Sequence, residues 1–504
     1  MTPFTKYATV LVDRSTDYGQ APPFGQGHPL GLSDDPDTDW YLSVEVQGIS
    51  ARGVLGEGEL SDDYGEGWTT VPLMLGATRE GGWTDITSDV RGLDWIRGGD
   101  EPFGRPVIGE LVMTLDNTDT SYSPWPANGN QISSAYWAPG TIIRIGITSP
   151  GDTSFGGYVP QFVGIVDTWA QLTTGVGADN YVEVRAYETL RWVSNIDDNE
   201  QPLAGDGENA GARIQRLLDP TGWPFGYTIE AENLDAGGSL YGLQSTNLSM
   251  NRLQEVYLTS DSNDVAVRSG RDGSCMIYDR YSFGAVGTIY PTAETWPLVE
   301  YSYKGLNNGR TPAPCIGFDW KEHRETTGND DILYVPYDAD SFVTGNDDAY
   351  VFNDVRIART EGTQQVAEQG YSISRYGRKT FTRTDLINKN DECVAMLARN
   401  KGERQGLNTL RAEVFTVATS HRSPEVFKAL LAMDVGCMAE VYAPSENVAM
   451  DRPHVEGFIR GFRHRITSMG NTVSGIDWDT EISVDTYKVV GLTPAQLDPG
   501  PYDS

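Results

Sequence analysis

The sequence predicts a mainly β protein with α+β insertions, in which two related β-barrel domains flank smaller inserted domains. Three observations support this prediction. The 504 residues include 56 glycines and 25 tyrosines with short apolar stretches between them, a composition typical of strands joined by turns. Many of these stretches alternate apolar and polar residues, as antiparallel strands with one solvent-exposed face do. Finally, a group of three strands occurs twice along the chain.

The chain is too long for one ordinary core, so several domains are expected. Its changes in pattern divide it into an N-terminal extension with one or more strands, a first β-barrel domain, an inserted α+β domain, a second β-barrel domain with helices, and a C-terminal tail. In that order, the predicted segments are residues 1–82, 83–200, 201–350, 351–490 and 491–504.

The strands are predicted from alternating patterns. The extension contains one clear strand, Trp40–Gln47, among Gly-, Pro- and Asp-rich loops. A turn and a strand are expected within 83–97. Further strands of the first barrel domain are expected at Glu110–Asn117, Thr141–Ile147, Phe162–Trp169 and Tyr181–Tyr187. Strands of this kind form a small barrel or sandwich.

Helices are predicted where apolar residues recur at helical spacing. In the inserted domain, one helix is expected at Ala210–Leu218 and another near Ser249–Leu258, followed by a hairpin that turns at Gly270–Gly273. In the second barrel domain, a helix is expected near Asn390–Arg404, and the pair Ser423–Pro424 marks the start of another.

The repeated group consists of a strand preceded by glycine, a glycine-containing strand, a turn and a third strand. It comprises Gly140–Ile147, Phe162–Trp169 and Tyr181–Arg185 in the first copy, and Gly436–Tyr442, Val455–Phe462 and Asn471–Trp478 in the second. A duplicated barrel domain with an insertion between its copies would explain this similarity. Chance likeness between unrelated β-strands is the alternative that the pattern leaves open.

The chain is strongly acidic: 38 lysines and arginines against 71 aspartates and glutamates give a formal charge of −33. Proteins that bind DNA or RNA obtain much of their affinity from Lys and Arg on phosphates, so this chain is a poor candidate for such binding. An acidic surface repels nucleic acid, and such a surface would suit a channel through which DNA passes without binding. Solubility alone is the simpler explanation of the charge.

Cysteine usage and hydropathy exclude several classes of protein. The cysteines lie far apart and form no C-x-x-C pair, so reduced, buried thiols are expected and a zinc site or disulfide framework is not. They are Cys275, Cys315, Cys393 and Cys437. The first residues lack the apolar segment of a signal peptide, and no apolar run reaches the roughly 18 residues that span a bilayer. We therefore expect synthesis in the cytoplasm and no membrane span.

No catalytic, cofactor-binding or metal-binding residue is predicted. The nucleophile-elbow, zinc-helix and phosphate-loop motifs do not occur. None of the five histidines lies four residues from another, and His454 and His464 are expected to fill the core or surface of the second barrel. Asp35–Asp39 begins like a calcium loop, but Trp40 stands where that loop needs glycine, so a solvated loop is expected. Loop carboxylates are also expected at Asp330–Asp331, Asp338, Asp340 and Asp347–Asp348.

Three stretches of the chain carry recognisable motifs: strands that end in Asp-Asn and Pro-Gly turns, a glycine-containing strand before a helix with a Gly-Trp-Pro stop, and an Asn-Asp-Val strand before a Tyr-Gly turn. The stretches are Asp85–Gly98, Gly109–Pro124 and Tyr136–Gly140; Phe162–Asp167, Val182–Leu190 and Arg213–Pro224; and Asn353–Arg359, Ser372–Arg378 and the helix from Asn390. In these motifs and their order, the chain resembles the minor tail proteins of actinobacteriophages, which are similar to baseplate-hub and tail-associated proteins. Thr120 departs from the family, which has glycine there.

The resemblance covers roughly residues 83 to 485 and implies a tail hub of two related β-barrel domains around inserted domains. It implies that three copies form a ring with pseudo-six-fold symmetry beneath the tail tube. The implied partners are further copies of the chain, the distal tail protein, the tail tube, the tape measure protein and other minor tail proteins. Genomic DNA would cross the lumen without specific binding. The implied role is structural, in tail-tip assembly, host attachment and DNA entry, within a virion assembled in the host cytoplasm.

Three alternatives stay open at this point. A distal tail protein, which forms a ring between tube and hub, would differ in having six subunits. A cell-wall hydrolase carried at the tip would need facing carboxylates in a cleft. A carbohydrate-binding module would use exposed aromatic side chains.

Overall fold

Strands dominate the part of the chain that the structure, a computed structural model, describes. The described residues are 41–47, 83–99, 108–118, 122, 139–148, 158–173, 180–194, 196, 203–221, 223–229, 242–247, 251–279, 316–319, 334–345, 351–406, 411–419, 430–431, 433–444, 454–468 and 476–490. The predicted loop at Asp35–Asp39 and the tail 491–504 lie outside them.

The first seven strands form an antiparallel sheet, the first β module. They are β1 (Tyr41–Gln47), β2 (Trp83–Asp85), β3 (Val90–Gly98), β4 (Glu110–Asp116), β5 (Ile142–Thr148), β6 (Tyr158–Thr173) and β7 (Asn180–Glu188). Their order across the sheet is β2-β1-β5-β6-β7-β4-β3. The end strands β2 and β3 are joined by a short link that contains the 3-10 turn Thr87–Asp89. The sheet is therefore curled, because its opposite ends are consecutive in the chain.

The alternating pattern of these strands determines which face of the sheet is covered. On β4, Leu111, Met113 and Leu115 are fully buried, and the residues between them are partly exposed. They pack in one cluster with Trp95 of β3 and Ile145 of β5. Burial of each such side chain contributes about 1.5 to 3 kcal/mol, so this cluster is the core of the first β module.

The segment after β7 forms a unit of helices and short strands, the helical insert. It contains the 3-10 turns Thr189–Val193 and Asp219–Thr221, α1 (Ala210–Leu218), β8 (Tyr227–Ile229), α2 (Arg252–Asn263), β9 (Val265–Ser269) and β10 (Cys275–Asp279). β9 and β10 form the predicted hairpin, and β8 pairs in parallel with β10. α1 has the predicted bounds. α2 begins later than predicted, because the Asn251 side chain caps its first turn by accepting from the Leu253 N–H. It also ends later, at Asn263, because Asp264 adopts the left-handed conformation that stops a helix.

The rest of the chain forms a second β module with a small module inserted in it. Its elements are β11 (Ile316–Asp319), β12 (Tyr334–Pro336), β13 (Asp338–Gly345), β14 (Asp354–Arg359), β15 (Gln365–Glu368), α3 (Gly370–Tyr376), β16 (Thr380–Leu386), α4 (Asp391–Gln405), β17 (Arg411–Ala418), β18 (Met438–Tyr442), β19 (His454–Ser468) and β20 (Ile476–Val490). The second β module consists of β11–β13 and β17–β20. The small module is residues 351–406.

The second β module repeats the strand order of the first. Its order is β12-β11-β18-β19-β20-β17-β13, and only Tyr337 separates its end strands β12 and β13 in the chain. Numbered along the chain, each module has the order second, first, fifth, sixth, seventh, fourth, third. The predicted triplets occupy corresponding places, as β5–β6–β7 and β18–β19–β20. One strand differs: β11 is parallel to both neighbours, whereas β1 is antiparallel to both of its own.

The small module has its own sheet and core. Its strand order is β15-β14-β16, and α4 packs on one face against Val355 and Ile357. The Asn390 side chain caps α4 by accepting from the Cys393 N–H at 3.1 Å, so the helix begins one residue after the predicted start. At the base of the module, the Phe352 N–H donates to the Gln405 carbonyl at 2.7 Å. The chain therefore enters and leaves the module at adjacent positions.

The two β modules are joined by β3, an end strand of the first module, and the later half of β19, whose earlier half pairs with β18. These strands pair antiparallel from Gly98–Gly461 to Gly92–Thr467, and we call this pairing the seam. At the seam's end Gly98 has φ +90°, and a Cβ there would lie 2.2 Å from the Arg460 carbonyl oxygen. Glycine is therefore required at this position.

The mainly β fold class with α+β insertions and two related β domains is confirmed. The predicted domain boundaries at residues 82 and 350 stay a proposal about segments of the chain. In the structure, β1 shares a sheet with strands that follow residue 82, and β11–β13 share a sheet with strands that follow residue 350. Asp338 and Asp340 were expected in a loop; that was wrong, because they lie in β13. Of the helix predicted from Ser423–Pro424, the described residues include 430 and 431, which are helical, while its start lies outside them.

Within the described ranges, no helix combines the length and hydrophobicity that a membrane crossing requires.

Candidate functional site

A group of buried charged side chains, the junction cluster, borders the seam. Its members are Arg97 on β3, Glu188 at the end of β7, Arg268 on β9, Arg271 in the β9–β10 turn and Asp434 before β18. Each is at most 4% exposed. Charged groups lose hydration when they are buried, so such a cluster is stable only if its members pair with one another.

The Arg97 guanidinium connects three parts of the chain. Its Nε donates to Glu188 Oε1 of the first β module at 2.8 Å, and its Nη1 donates to Asp434 Oδ1 of the second β module at 2.8 Å. Its Nη2 donates to the Ser269 carbonyl of the helical insert at 2.9 Å. Charge-assisted bonds are stronger than neutral ones. One side chain therefore fixes both β modules and the insert to one another.

Asp434 is surrounded by positive charge. Besides the bond from Arg97, Arg268 Nη1 lies 3.3 Å from Oδ1 and Arg271 Nε lies 3.7 Å from Oδ2. The Val435 N–H also donates to Oδ1 at 2.7 Å. Burial alone would raise the pKa of Asp434, but the three arginines and the backbone bond hold that pKa well below its usual range. Asp434 is therefore ionised at neutral pH.

Glu188 has a different balance of effects. It accepts from Arg97 Nε and from the Gly109 N–H, each at 2.8 Å. Burial raises the pKa of Glu188, and the neighbouring Arg97 offsets this only in part. Of the two buried acids, Glu188 is therefore the one that takes up a proton first as the pH falls.

Aromatic rings lie beside the cluster. Trp95 stacks on His464 with ring centroids 4.7 Å apart, and Trp478 Nε1 donates to His464 Nδ1 at 3.3 Å. Burial, followed by the charges of Arg97 and Arg271, lowers the pKa of His464 to about 3. The ring is therefore neutral and fills the core, as the sequence predicted.

The junction cluster is suited to holding the fold together. A general acid or base presents its lone pair to a substrate, whereas the oxygens of Asp434 and Glu188 face arginines and backbone amides. Removing one partner of a buried ion pair leaves the other charge uncompensated, at a cost of about 3 to 5 kcal/mol. The junction cluster therefore serves to hold the two β modules and the helical insert in position relative to one another.

The second histidine singled out from the sequence, His454, lies at the start of β19, between β18 and β20 of the second β module. Its Nε2 is 3.5 Å from Glu440 Oε1 and 3.6 Å from Glu456 Oε1, and its ring packs on Tyr442. In the ranges that the structure describes, no three His, Cys, Asp or Glu side chains meet in a way that could hold a metal ion. His28, His323 and His421 lie outside those ranges.

The described cysteines are Cys275, Cys393 and Cys437, and each is a buried thiol. Burial raises the pKa of Cys275 to about 12 and that of Cys393 to about 11. These two thiols are therefore protonated at neutral pH and behave as small apolar side chains, as expected. Cys315 lies outside the described residues.

The structure describes some of the acidic residues that the sequence analysis considered as loop carboxylates. Asp338 and Asp340 are exposed at the start of β13, where the Asp340 N–H donates to Asp338 Oδ1 at 3.1 Å. Asp330–Asp331 and Asp347–Asp348 lie outside the described residues.

Sequence reasoning did not predict the junction cluster, although two of its members carry a signal. Arg97 follows Trp95 on the inward face of β3, and Glu188 follows Ala186 on the inward face of β7. A charge that continues an inward apolar alternation indicates a buried ionic partner. Asp434 carries no such pattern, and 337 positions separate it from Arg97.

Comparison with known proteins bears on the fold. The sequence matches no protein-family model and no curated protein. Among solved structures, it is similar to the tail protein from Neisseria meningitidis MC58, with a TM-score of 0.50 and 11% identity over 88% of this chain and 96% of that one. The chain has the fold of a tail protein.

Two further tail proteins show weaker similarity. The 43 kDa tail protein of prophage MuSo2 from Shewanella oneidensis has a TM-score of 0.48 and 12% identity over 82% of this chain and 97% of that one. The prophage tail protein gp18 from Listeria monocytogenes EGD-e has a TM-score of 0.43 and 10% identity over 88% and 95%. The resemblance to tail proteins is confirmed at the level of the fold, and the actinobacteriophage subgroup stays a prediction.

Proposed function

We propose that this chain is a structural protein of a phage tail, and more specifically a hub-type minor tail protein at the tail tip. The observation that carries the proposal is the repeated seven-stranded topology within one chain, with the two β modules joined by the seam. The fold shared with the Neisseria tail protein supports the tail assignment. The junction cluster supports a rigid scaffold, because its charges hold three units together.

The repeat has a consequence for symmetry. A chain with two related modules presents two similar surfaces, so three copies around an axis present six. Such a ring could match a six-fold tail tube on one side and a three-fold tip on the other. We therefore propose a homotrimer that contacts the distal tail protein, the tail tube, the tape measure protein and further minor tail proteins.

The charge of −33 fits a channel for DNA. We propose that the inner wall of the ring carries more Asp and Glu than Lys and Arg, so that genomic DNA passes without binding. A basic inner wall would contradict this part of the proposal.

In this proposal the chain is assembled into the tail in the host cytoplasm and stays in the virion. It supplies interfaces, anchors host-attachment proteins and opens the path for DNA entry, with no enzymatic activity, cofactor or metal of its own. Purified protein is therefore expected neither to degrade peptidoglycan nor to bind a glycan array. Activity in either assay would favour a tip-associated hydrolase or a carbohydrate-binding module.

Cryo-electron microscopy of intact particles, with this chain located by a bound antibody fragment, tests the proposal. We expect three copies at the tail tip, with first and second β modules alternating around the ring. Six equivalent copies between the tube and the tip would indicate a distal tail protein instead. A chain that is missing from the tail would overturn the proposal.

A further inference from the structure

Positive charge is concentrated in one part of this acidic chain. The small module, residues 351–406, contains 10 Lys and Arg against 7 Asp and Glu, a net charge of +3. The other 448 residues contain 28 against 64, a net charge of −36. The small module is therefore the part of one copy that the acidic surface of a second copy attracts.

The small module carries large exposed and half-buried side chains on α3 and near it in the chain, which we call the docking patch. Its members are Val366, Tyr371, Arg375, Tyr376 and Arg378. Tyr371 is 64% exposed and Val366 is 54% exposed. Residues 370–379 contain three basic side chains and no acidic one. Tyr and Arg are enriched in protein interfaces, so this composition is typical of a contact surface.

The docking patch is held in a defined shape before any partner binds. The Arg375 guanidinium lies 5.3 Å from the Tyr376 ring centroid, and its Nη1 donates to Tyr371 Oη at 3.4 Å. Arg378 Nη1 pairs with Glu368 at 2.5 Å and with the buried Asp354 at 3.0 Å. Side chains that are already ordered lose little entropy on binding, which favours a specific contact.

A surface of opposite charge, the acidic strip, lies at the other end of the strands that carry the small module. Its members are Asp338 and Asp340 on β13 and Asp477, Asp479 and Glu481 on β20. Asp338 and Glu481 pair with the same β17 residue, Thr416, from opposite sides. Burial and the charge of Asp477, with smaller effects from Glu481 and Asp338, raise the pKa of Asp479 although Arg465 opposes this. These carboxylates repel one another, and Arg463 and Arg465 of β19, which lie opposite Glu481 and Asp479, offset that repulsion in part. A further cation from a second copy would relieve the rest.

We propose that the docking patch of one copy binds the acidic strip of a second copy of this chain, head to tail. This inference rests on the proposed ring and names the contact that closes it. β13 ends at Gly345, its end nearer in the chain to the small module, whereas the strip begins at Asp338, roughly 20 Å away for a strand of this length. In the proposed contact the two surfaces therefore belong to different copies. A contact between two different surfaces is heterologous, and it forms a ring when repeated rotation about one axis closes on the first copy.

Sedimentation velocity of the full-length chain over a concentration series tests this contact. The double variant Tyr371→Ala/Arg375→Glu removes an aromatic anchor and reverses a charge, and we expect it to raise the dissociation constant at least about tenfold. The matched control Arg399→Glu makes the same charge change on α4, where the Arg399 side chain is 70% exposed. We expect that control to change the constant by less than about threefold.

A charge exchange separates a direct contact from misfolding. Arg375→Glu alone should weaken association, and adding Asp338→Arg should restore it, because the exchanged charges meet between copies. Circular dichroism establishes that each variant keeps its secondary structure. An equal effect of Arg399→Glu, or no recovery in the exchanged pair, overturns the proposal.

Three further outcomes separate this contact from the proposed function. Patch variants that self-associate normally but no longer enter particles would assign the docking patch to a different tail protein and overturn the proposal. Three-copy rings in particles that carry the patch variants would reject this contact and leave the proposed function standing. Particles in which the wild-type chain forms no three-copy ring would reject the proposed function itself.

Discussion

Asp434 offsets the charge of the three arginines that surround it in the junction cluster. In Asp434→Asn the shape is kept but the charge is lost, and three guanidinium groups then face one another in a buried site. We expect this variant to lower the free energy of unfolding by about 3 to 5 kcal/mol, measured by urea titration. The control is Asp385→Asn, at a side chain 63% exposed, with an expected effect under about 1 kcal/mol. Equal losses would contradict the prediction.

The buried ring of His464 makes the stability of the fold sensitive to acid. Its pKa is about 3 in the folded chain, against about 6.5 in an unfolded chain. Below pH 6.5 the unfolded chain gains a proton that the folded chain does not, so stability falls as the pH decreases from 6.5 towards 3. We expect the urea midpoint of His464→Gln to fall less over this interval than that of the wild type. Parallel curves would refute the assignment.

For single residues, the sequence predicts which side chains point inward better than it predicts which side chains they contact. The alternation that buries Trp95 also predicts that Arg97 points inward. It says nothing of which carboxylate Arg97 meets, because Asp434 arrives from a distant part of the chain. The candidate site could therefore be suspected at Arg97 and Glu188 from pattern alone, while its remaining members depend on tertiary structure.

At the scale of elements, the seam depends on glycine geometry. A Cβ at Gly98 would lie 2.2 Å from a backbone oxygen of the neighbouring strand, whereas a Cβ at Gly92 would have its nearest neighbour at 3.8 Å. We therefore expect Gly98→Ala to cost more than about 1 kcal/mol and Gly92→Ala to cost less. Urea titration of the two variants measures this difference. Similar costs would show that the positive φ of Gly98 does not constrain the seam.

Most elements were predictable because their signals are local. The hydrophobic stripe of α1 and the alternation of β4 depend on residues a few positions apart, and both appear where expected. The direction of β11 and the pairing of β3 with β19 were not predictable. Asp94 and Arg463, which pair across the seam, are 369 residues apart, and no local pattern encodes that register.

At the scale of the whole molecule, the seam makes the two β modules parts of one sheet. Their cores should therefore lose structure together, since opening either module breaks the pairing of β3 with β19. We expect hydrogen exchange in increasing urea to release the amides of Ile142–Thr148 and Met438–Tyr442 at the same concentration. Mass spectrometry of the corresponding peptides measures both in one sample. Release of one strand well before the other would show that the modules unfold independently.

The hydrogen bond between Phe352 and Gln405 has a consequence for how this protein can diversify. This bond brings the two ends of the small module together, and the flanking strands β13 and β17 pair with each other at Gly345 and Arg411. A recombination event that replaced the coding sequence of the module would therefore leave the spacing of these strands unchanged. A replacement module would have to keep the contacts with the helical insert, where the Ile387 N–H donates to Ser262 Oγ of α2 and the Gln244 N–H donates to the Ile387 carbonyl. Homologous chains can therefore exchange this module while keeping the framework of the two β modules.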